Sequence, residues 1–436
     1  MTAKKRLDAI QRVTRRQVLK GGAALSLGLA GASMPAISRA ADQKVTIWTW
    51  RTEDVPLWKA VETELKKTIP GLTIDAQPSK ATEYNAKVNT AMQGGQGPDI
   101  ITTRAGAGYY KPFADAKMFV PLTTDMIPGI KDLPQGTVSQ VSYDNQIYAI
   151  PFAKQVSFFY YNIDIFDKHQ LKPPTTYGEL LKTLETLKQN GETPLFTPAR
   201  EGWALSLYVD CIGATFLGDE WAGELLAGKH KFTDDKFVAL LQRFVDLQPY
   251  FQDGYVGNNT DDLQQAFQTG RAATILYGGW AFSDFMAGNP DLKFDFFLCP
   301  PDDAGGKVQS YVFLDGGYAV NSSSKVKDTA LEVLKFAATP QYGQIFQDQT
   351  GDMSAIPGVE APADKPHFAR MSELASSKYA VNNLFRIRGP FNDGTPDLYS
   401  VLNSGLEGLW GNQITPEKLA QQIQDALDQW YPAFKK

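Results

Sequence analysis

The stretch from Lys44 to Thr103 restricts the fold more than any other part of the chain. "KVTIWTW" (Lys44 to Trp50) alternates and is rich in β-branched residues, which is strand patterning. "VPLWKAVETELKKTIPG" (Val55 to Gly71) is amphipathic with a helical period and stops at Pro70 and Gly71. "LTIDAQP" reads as a second strand, "ATEYNAKVNTAMQGGQG" as a helix with a glycine exit, and "PDIITT" as a third strand. Strand, helix, strand, helix, strand with connections of this length is the pattern of an α/β sheet with right-handed crossovers. Ligands of such sheets bind at the carboxyl ends of the strands. Those ends fall at Trp50 to Glu53 and at Thr102 to Gly106.

At 436 residues the chain is too long for one typical core, so two domains are expected. "QIYAIPFAKQVSFFYYNIDIF" (Gln146 to Phe166) breaks the alternation with a long extended run that contains Pro151. A proline is disfavoured in a central strand, so this run is an edge strand or one that passes between domains. "KPPTTYGELLKTLETLKQNG" then predicts a helix capped by Thr, with Glu179 in its first turn. Further helices are expected in "DDKFVALLQRFVDLQPYF", "TDDLQQAFQTG", "KVKDTALEVLKFAATP" and "TPEKLAQQIQDALDQWY". "KFDFFLCPP" and "VFLDGGYAVN" read as strands.

The first forty residues read as an export signal. Paired Arg15 and Arg16 precede an apolar run from Gly21 to Ala36, and "SRA" gives a small-x-small cleavage site before Ala41. The apolar run is short of the roughly 20 residues a membrane span needs. The twin-arginine pattern implies export of an already folded protein to the periplasm. No cysteine lies near the cleavage site, so no lipid anchor is expected. Without residues 1–40 the chain has 35 basic and 47 acidic residues, a net charge of −12. Such acidity argues against nucleic acid and anionic membranes as partners. The two cysteines, Cys211 and Cys299, allow one disulfide at most and read as buried small hydrophobes.

The residues of common catalytic and cofactor sites are missing from their usual patterns. His169, His230 and His367 are scattered, and no His/Cys/carboxylate cluster has metal-ligand spacing. There is no G-x-S-x-G and no H-E-x-x-H. "GGQGPD" and "GAGYYK" lack the third glycine and the strand–turn–helix setting of a dinucleotide site, so no cofactor is expected. Acid pairs such as Glu53/Asp54 and Asp261/Asp262 could serve a glycosidase, but helix caps and solvated faces explain them more simply. Aromatics are the positive signal, at 12% of the chain, with Trp50, Tyr109, Tyr110, Trp203 and Trp280 at expected strand ends or loops. A flat ring matches the C–H face of a sugar, and burying roughly 75 Å² of that face contributes on the order of 2 kcal/mol. For any single tryptophan, packing in a core is the commoner role.

With these pieces in order, the chain resembles the carbohydrate-type extracellular solute-binding proteins of ABC importers, the group that includes maltose-binding protein. The matching motifs are "VTIWTW", "GQGPDII", "YAIPF" with "FFYYNIDIFDKHQLKPPTTYGEL", "FQTGRAATILYGGW" and "GGYAVNSSSKVKDTALEVLKFAATPQ". "DKHQL" departs from the family, which usually has a glycine before the leucine; the change falls in a turn. The resemblance implies a two-lobed periplasmic binding protein fold, each lobe a mostly parallel sheet flanked by helices, with hinge strands between. It places a first lobe at 41–150 and 299–350 and a second at 151–298 and 351–436, with crossings near Ala149 to Phe152, Phe294 to Leu298 and Gly351. It implies capture of a carbohydrate in the interlobe cleft by hinge closure and delivery to the permease by a monomer.

The resemblance also nominates site residues. Trp280 matches a position that often stacks on sugar, with Gly279 before it. Asp99 either caps a turn or reaches sugar hydroxyls. Trp50 and Arg51 end the first strand, and Tyr84 lies on the second helix. Gln155 follows the first crossing, Trp203 is a second stacking candidate, and Asp315 and Gly316 lie where the first lobe returns to the cleft. Arg386 and Arg388 read first as surface ion-pairing residues; directed into the cleft, they would imply an acidic solute. Two other readings are a secreted glycoside-active enzyme and a sensory sugar-binding protein. The order of motifs and the missing catalytic pattern argue against the enzyme.

Overall fold

The computed structural model describes residues 43–361, 366–376, 378–381 and 390–435. The expected leader at 1–40 lies outside them. The first alternating segment folds as its pattern predicts. β1 (Gln43–Thr49), the helix Asp54–Leu65, β2 (Leu72–Pro78), the helix Ala81–Gln93 and β3 (Ile100–Arg104) follow in order. β1 pairs in parallel with both β2 and β3, which the intervening helices permit. The helix Asp54–Leu65 buries Leu57, Trp58, Val61 and Leu65, one face at helical spacing. Trp58 meets Tyr318 with ring centres 4.9 Å apart, and this contact lies at the heart of one core of the first sheet.

A short hairpin, β4 (Ser142–Tyr143) and β5 (Gln146–Ile147), leads into β6 (Ala149–Pro151). β6 is the edge of a five-stranded sheet of order β2-β1-β3-β12-β6, where β12 is Gly316–Val320. Pro151 is therefore on an edge strand, where its missing N–H breaks no ladder. After Phe152 the chain enters a second sheet as β7 (Ala153–Asn162), ten residues long. That sheet also contains β8 (Leu195–Phe196), β9 (Thr274–Gly278), β10 (Phe294–Phe297), β11 (Ser310–Leu314), β13 (Met353–Ser354) and β14 (Ala380–Val381). β9, β10, β11 and β13 all run antiparallel to β7.

Two details differ from the sequence expectation. The sheets are mixed rather than mostly parallel: β12 is antiparallel to β3 and β6, and β7 organises the second sheet in antiparallel pairs. The return to the first sheet also comes later than Phe294 to Leu298. β10 pairs with β7, and so does β11, through Val312↔Val156, Phe313↔Gln155 and Leu314↔Lys154. The chain changes sheet at Asp315, inside what reads in sequence as one strand. Gly316 makes this possible, since a Cβ there would overlap the Thr103 carbonyl and crowd the Phe152 ring. The last crossing follows the helix Pro340–Thr350, which ends on Gly351 at φ +72° before Met353 joins β7.

Local signals in the second lobe hold. Thr176 accepts from the Glu179 backbone N–H, and Glu179 accepts from the Thr175 N–H and hydroxyl, capping the helix Tyr177–Gln189. Every residue of β9 is buried, the expected state of "TILYG" inside a sheet covered on both faces. Cys211 and Cys299 are both buried and unpaired with each other, and burial pushes the Cys299 thiol up to about 12. They behave as small core residues.

Candidate functional site: two aromatic faces and a buried ionic network

The carboxyl end of β1 builds the first face. Trp50 is half-buried and meets Tyr84 edge-on at 5.4 Å and Phe152 at 6.0 Å. Arg104, the last residue of β3, lays its guanidinium carbon 4.4 Å from the centre of the Trp50 ring. Tyr84 is buried beneath Trp50. Its hydroxyl donates to the carbonyls of Trp48 and Thr102, 2.7 and 2.8 Å away, and so ties the helix Ala81–Gln93 to the ends of β1 and β3. Burial holds this phenol well above its ordinary pKa. Tyr84 thus supports the face and does not form its surface.

Arg51 points away from that face into the protein. Its side chain is 3% exposed and meets four carboxylates: Asp54 at 2.9 Å, Glu53 at 3.0 Å, Asp315 at 3.2 Å and Asp352 at 2.6 Å. It also lies over the rings of Phe152 and Phe346. Burial alone would lower the guanidinium pKa, but the surrounding carboxylates raise it well above the usual value. Burial likewise holds Asp54 and Asp352 above the usual carboxylate range, with Arg51 pulling both down. The network joins the turn after β1 to two crossings, at Asp315 and at Asp352. Gln155, on β7, is 1% exposed and lies beside Asp352, with its amide nitrogen without a hydrogen-bond partner among the described residues. Arg51 and Asp315 are therefore parts of the joint between the sheets, with their charged groups turned to each other, and Gln155 lies in the same joint.

β9 delivers the second face. The chain leaves Gly278 through a short 3-10 turn, Gly279–Ala281, into the helix Phe282–Gly288. The backbone at Gly278 is ordinary extended chain, at φ −94°. Space is what requires a glycine: a Cβ there would overlap the six-membered ring of Trp280. The indole folds back across Gly278 and meets Tyr277 at 5.1 Å, Trp203 at 6.2 Å and Phe313 at 6.2 Å. A Cβ on Gly279 would press on Met371 and approach the Val156 carbonyl and Gln155. Trp203 opens the helix Gly202–Leu226 and donates its indole N–H to Glu201 at 2.7 Å. Trp203 and Trp280 are both half-buried and still present part of their rings.

The ionic network connects the two faces. Arg51 follows Trp50 directly, Asp352 pairs with Arg51 and lies beside Gln155, and the Gln155 side chain packs near Gly279, the residue before Trp280. Asp284, in the first turn of the helix Phe282–Gly288 that follows Trp280, lies within electrostatic reach of Arg51 and Asp352. Trp50 thus lies on one side of this joint and Trp203, Gly279 and Trp280 on the other, with Arg51, Gln155, Asp315 and Gly316 within it.

Asp99 is elsewhere. It precedes β3, at the opposite end of the sheet, and accepts from the Thr46 N–H and hydroxyl at 2.8 Å and from Ser324 at 2.6 Å. It is a tie between β1, β3 and the turn after β12, which is the turn-capping alternative of its sequence reading. Arg386 and Arg388 lie outside the described residues. Arg104 falls within the strand-end window read from sequence, but nothing local separates it from a solvated arginine. Phe313 and Asp352 carry no sequence signal, because their places follow from β11 and β13 pairing with β7.

A model of the family described as bacterial extracellular solute-binding protein matches residues 60–373. A multiple sugar-binding protein of Streptococcus mutans is 24% identical over 358 residues, covering 78% of this chain and 82% of that one. A mannitol-binding protein of Pseudomonas aeruginosa is 23% identical over 357 residues, covering 77% and 78%. A structure from work on xylan utilization by the thermophilic bacterium Caldanaerobius polysaccharolyticus superposes with a TM-score of 0.76 at 26% identity, covering 88% of this chain and 99% of that one. Two sheets joined by three crossings, with aromatic residues at the strand ends on either side, agree with these likenesses, and the chain belongs to the bacterial extracellular solute-binding proteins.

Proposed function

We propose that this chain is the substrate-binding protein of an ABC importer, exported through its twin-arginine leader to the periplasm, where it captures a carbohydrate and delivers it to the membrane permease. The solute is a mono- or oligosaccharide, a polyol or a sugar derivative. One observation carries this reading: half-buried tryptophans flank a buried joint, Trp50 at a strand end of one sheet and Trp280 at a strand end of the other, with Trp203 on the helix beside Trp280. Aromatic faces of this kind match the C–H faces of sugars, and polar strand ends match the hydroxyls. The names of the two curated relatives, one for multiple sugars and one for mannitol, support the same class of solute. Among the described residues no helix is long and apolar enough to cross a membrane, as suits a receptor that works beside its permease.

Closure about the crossings at Phe152, Asp315 and Gly351 would bring both faces onto the solute. The closed state then gains contacts that the open state lacks, so the solute shifts the population toward it. Chemistry on the bound sugar is no part of this reading. The test is titration calorimetry of the mature chain against sugars and polyols. A hit should bind without turnover, and Trp280→Ala should weaken it at least tenfold, the effect of losing roughly 2 kcal/mol of ring contact. Unchanged affinity in a folded Trp280→Ala protein would remove that ring from the site, and hydrolysis of an oligosaccharide would replace the receptor with an enzyme.

A further inference from the structure

We propose that the first-lobe end of the site binds an oxyanion through Arg104, so that the solute is an acidic sugar derivative. This rests on the solute-binding reading above and narrows it.

Arg104 ends β3 and is registered opposite Gly316, beside the crossing at Asp315. Its guanidinium lies over Trp50, is half-buried, and makes no hydrogen bond or ion pair among the described residues. Arg51 is enclosed by four carboxylates, Arg243 holds both oxygens of Asp302, and Arg370 pairs with Asp295. In a chain with 47 acidic and 35 basic residues after its leader, carboxylate partners are plentiful. A partly desolvated guanidinium without one is a vacant fork.

Its surroundings suit a ligand group. A cavity of about 230 Å³ opens beside Arg104, lined by Asn85, Asn89 and Tyr109 and, over most of its surface, by apolar groups such as those of Val88, Ile101 and Phe113. That is below the roughly 300–1,000 Å³ of a full small-molecule pocket, and it fits one polar terminus. Contact with the Trp50 ring restrains the guanidinium, so two N–H groups can meet two oxygens of a carboxylate, sulfate or phosphate at small cost in side-chain order. A neutral hydroxyl would use only part of that geometry. Arg51 cannot substitute, because its N–H groups face protein carboxylates.

The experiment is calorimetry on the mature protein with matched probes: glucose against glucuronate and glucose 6-phosphate, and galactose against galacturonate. An acid should bind at least tenfold more tightly than its neutral parent. The uronate and phosphate arms identify which oxyanion fits. Arg104→Gln should abolish the difference between acid and parent, and Arg104→Lys, which keeps the charge without the fork, should restore part of it. Circular dichroism melting of both variants separates loss of binding from loss of fold. A neutral parent binding as tightly as its acid, or an acid preference that survives Arg104→Gln in a folded protein, would overturn the inference and leave the receptor reading intact. No binding of any sugar, acid or phosphate to the unaltered protein would overturn the receptor reading itself, and this inference with it.

Discussion

Replacing Arg51 with methionine tests the joint between the sheets. Methionine keeps much of the contact with Phe152 and Phe346 but removes the cation that meets Asp54, Asp315 and Asp352. Asp54 is fully buried and Asp352 is 3% exposed, so both would be left as uncompensated carboxylates in a dry setting. Breaking one buried pair in this way costs about 3–5 kcal/mol. Unfolding entropy of about 2.1 cal/mol/K per residue over roughly 390 folded residues gives ~0.8 kcal/mol/K, so the melting temperature should fall by about 4–6 °C. The pH dependence has a definite sign. Burial already holds Asp54 and Asp352 above their ordinary values, and without Arg51 they rise further. The folded state then binds more protons than the unfolded one, and stability is lost as pH rises through the raised values. The deficit should therefore be deeper at pH 8 than at pH 5, read by differential scanning calorimetry on ligand-free protein. Adding Asp54→Asn and Asp352→Asn to Arg51→Met should recover most of the loss, because no bare charge remains. A melting temperature within about 1 °C of the parent at both pH values, or a deficit deeper at pH 5, would refute the view that Arg51 neutralises this joint.

Two further substitutions separate binding from support. Gly278→Ala should expel the Trp280 ring from its seat, weaken solute binding about as much as Trp280→Ala, and cost about 1–3 kcal/mol of stability from overpacking. Full affinity in Gly278→Ala alongside a weakened Trp280→Ala would show that the ring's present position is not the one that binds. Asp99→Asn should lower stability by about 1–3 kcal/mol through the loss of charge-assisted bonds from Thr46 and Ser324, with solute affinity unchanged. A drop in affinity at unaltered stability would return Asp99 to the site.

Much of the fold was legible because it rests on local patterns. The first α/β segment, the Thr176 cap and the buried "TILYG" strand each follow from periodicity or from a side chain meeting a nearby backbone group. Resemblance of motifs added the two-lobed architecture. The course of β11 was not legible, since "VFLDGGYAVN" is uniform in composition and only pairing with β7 splits it at Asp315. The site was legible to the extent that it depends on position along a strand. Trp50 and Trp280 are expected at strand ends, and the fold places them after β1 and β9. Arg51 also stands at a strand end, yet its guanidinium turns inward.

The sequence by itself determined the class of fold, the family, and the placing of a tryptophan after two glycines at the end of a buried strand. The tertiary structure decided what those glycines do: Gly278 clears the ground on which the Trp280 ring lies. It also decided which of two arginines is available. Arg51 and Arg104 both stand at strand ends of the first sheet, but Asp315 and Asp352, 264 and 301 residues beyond Arg51, close around Arg51, while the Arg104 guanidinium has no carboxylate partner among the described residues. Charge pairing over such separations depends on where the crossings bring distant carboxylates, and no local pattern records that.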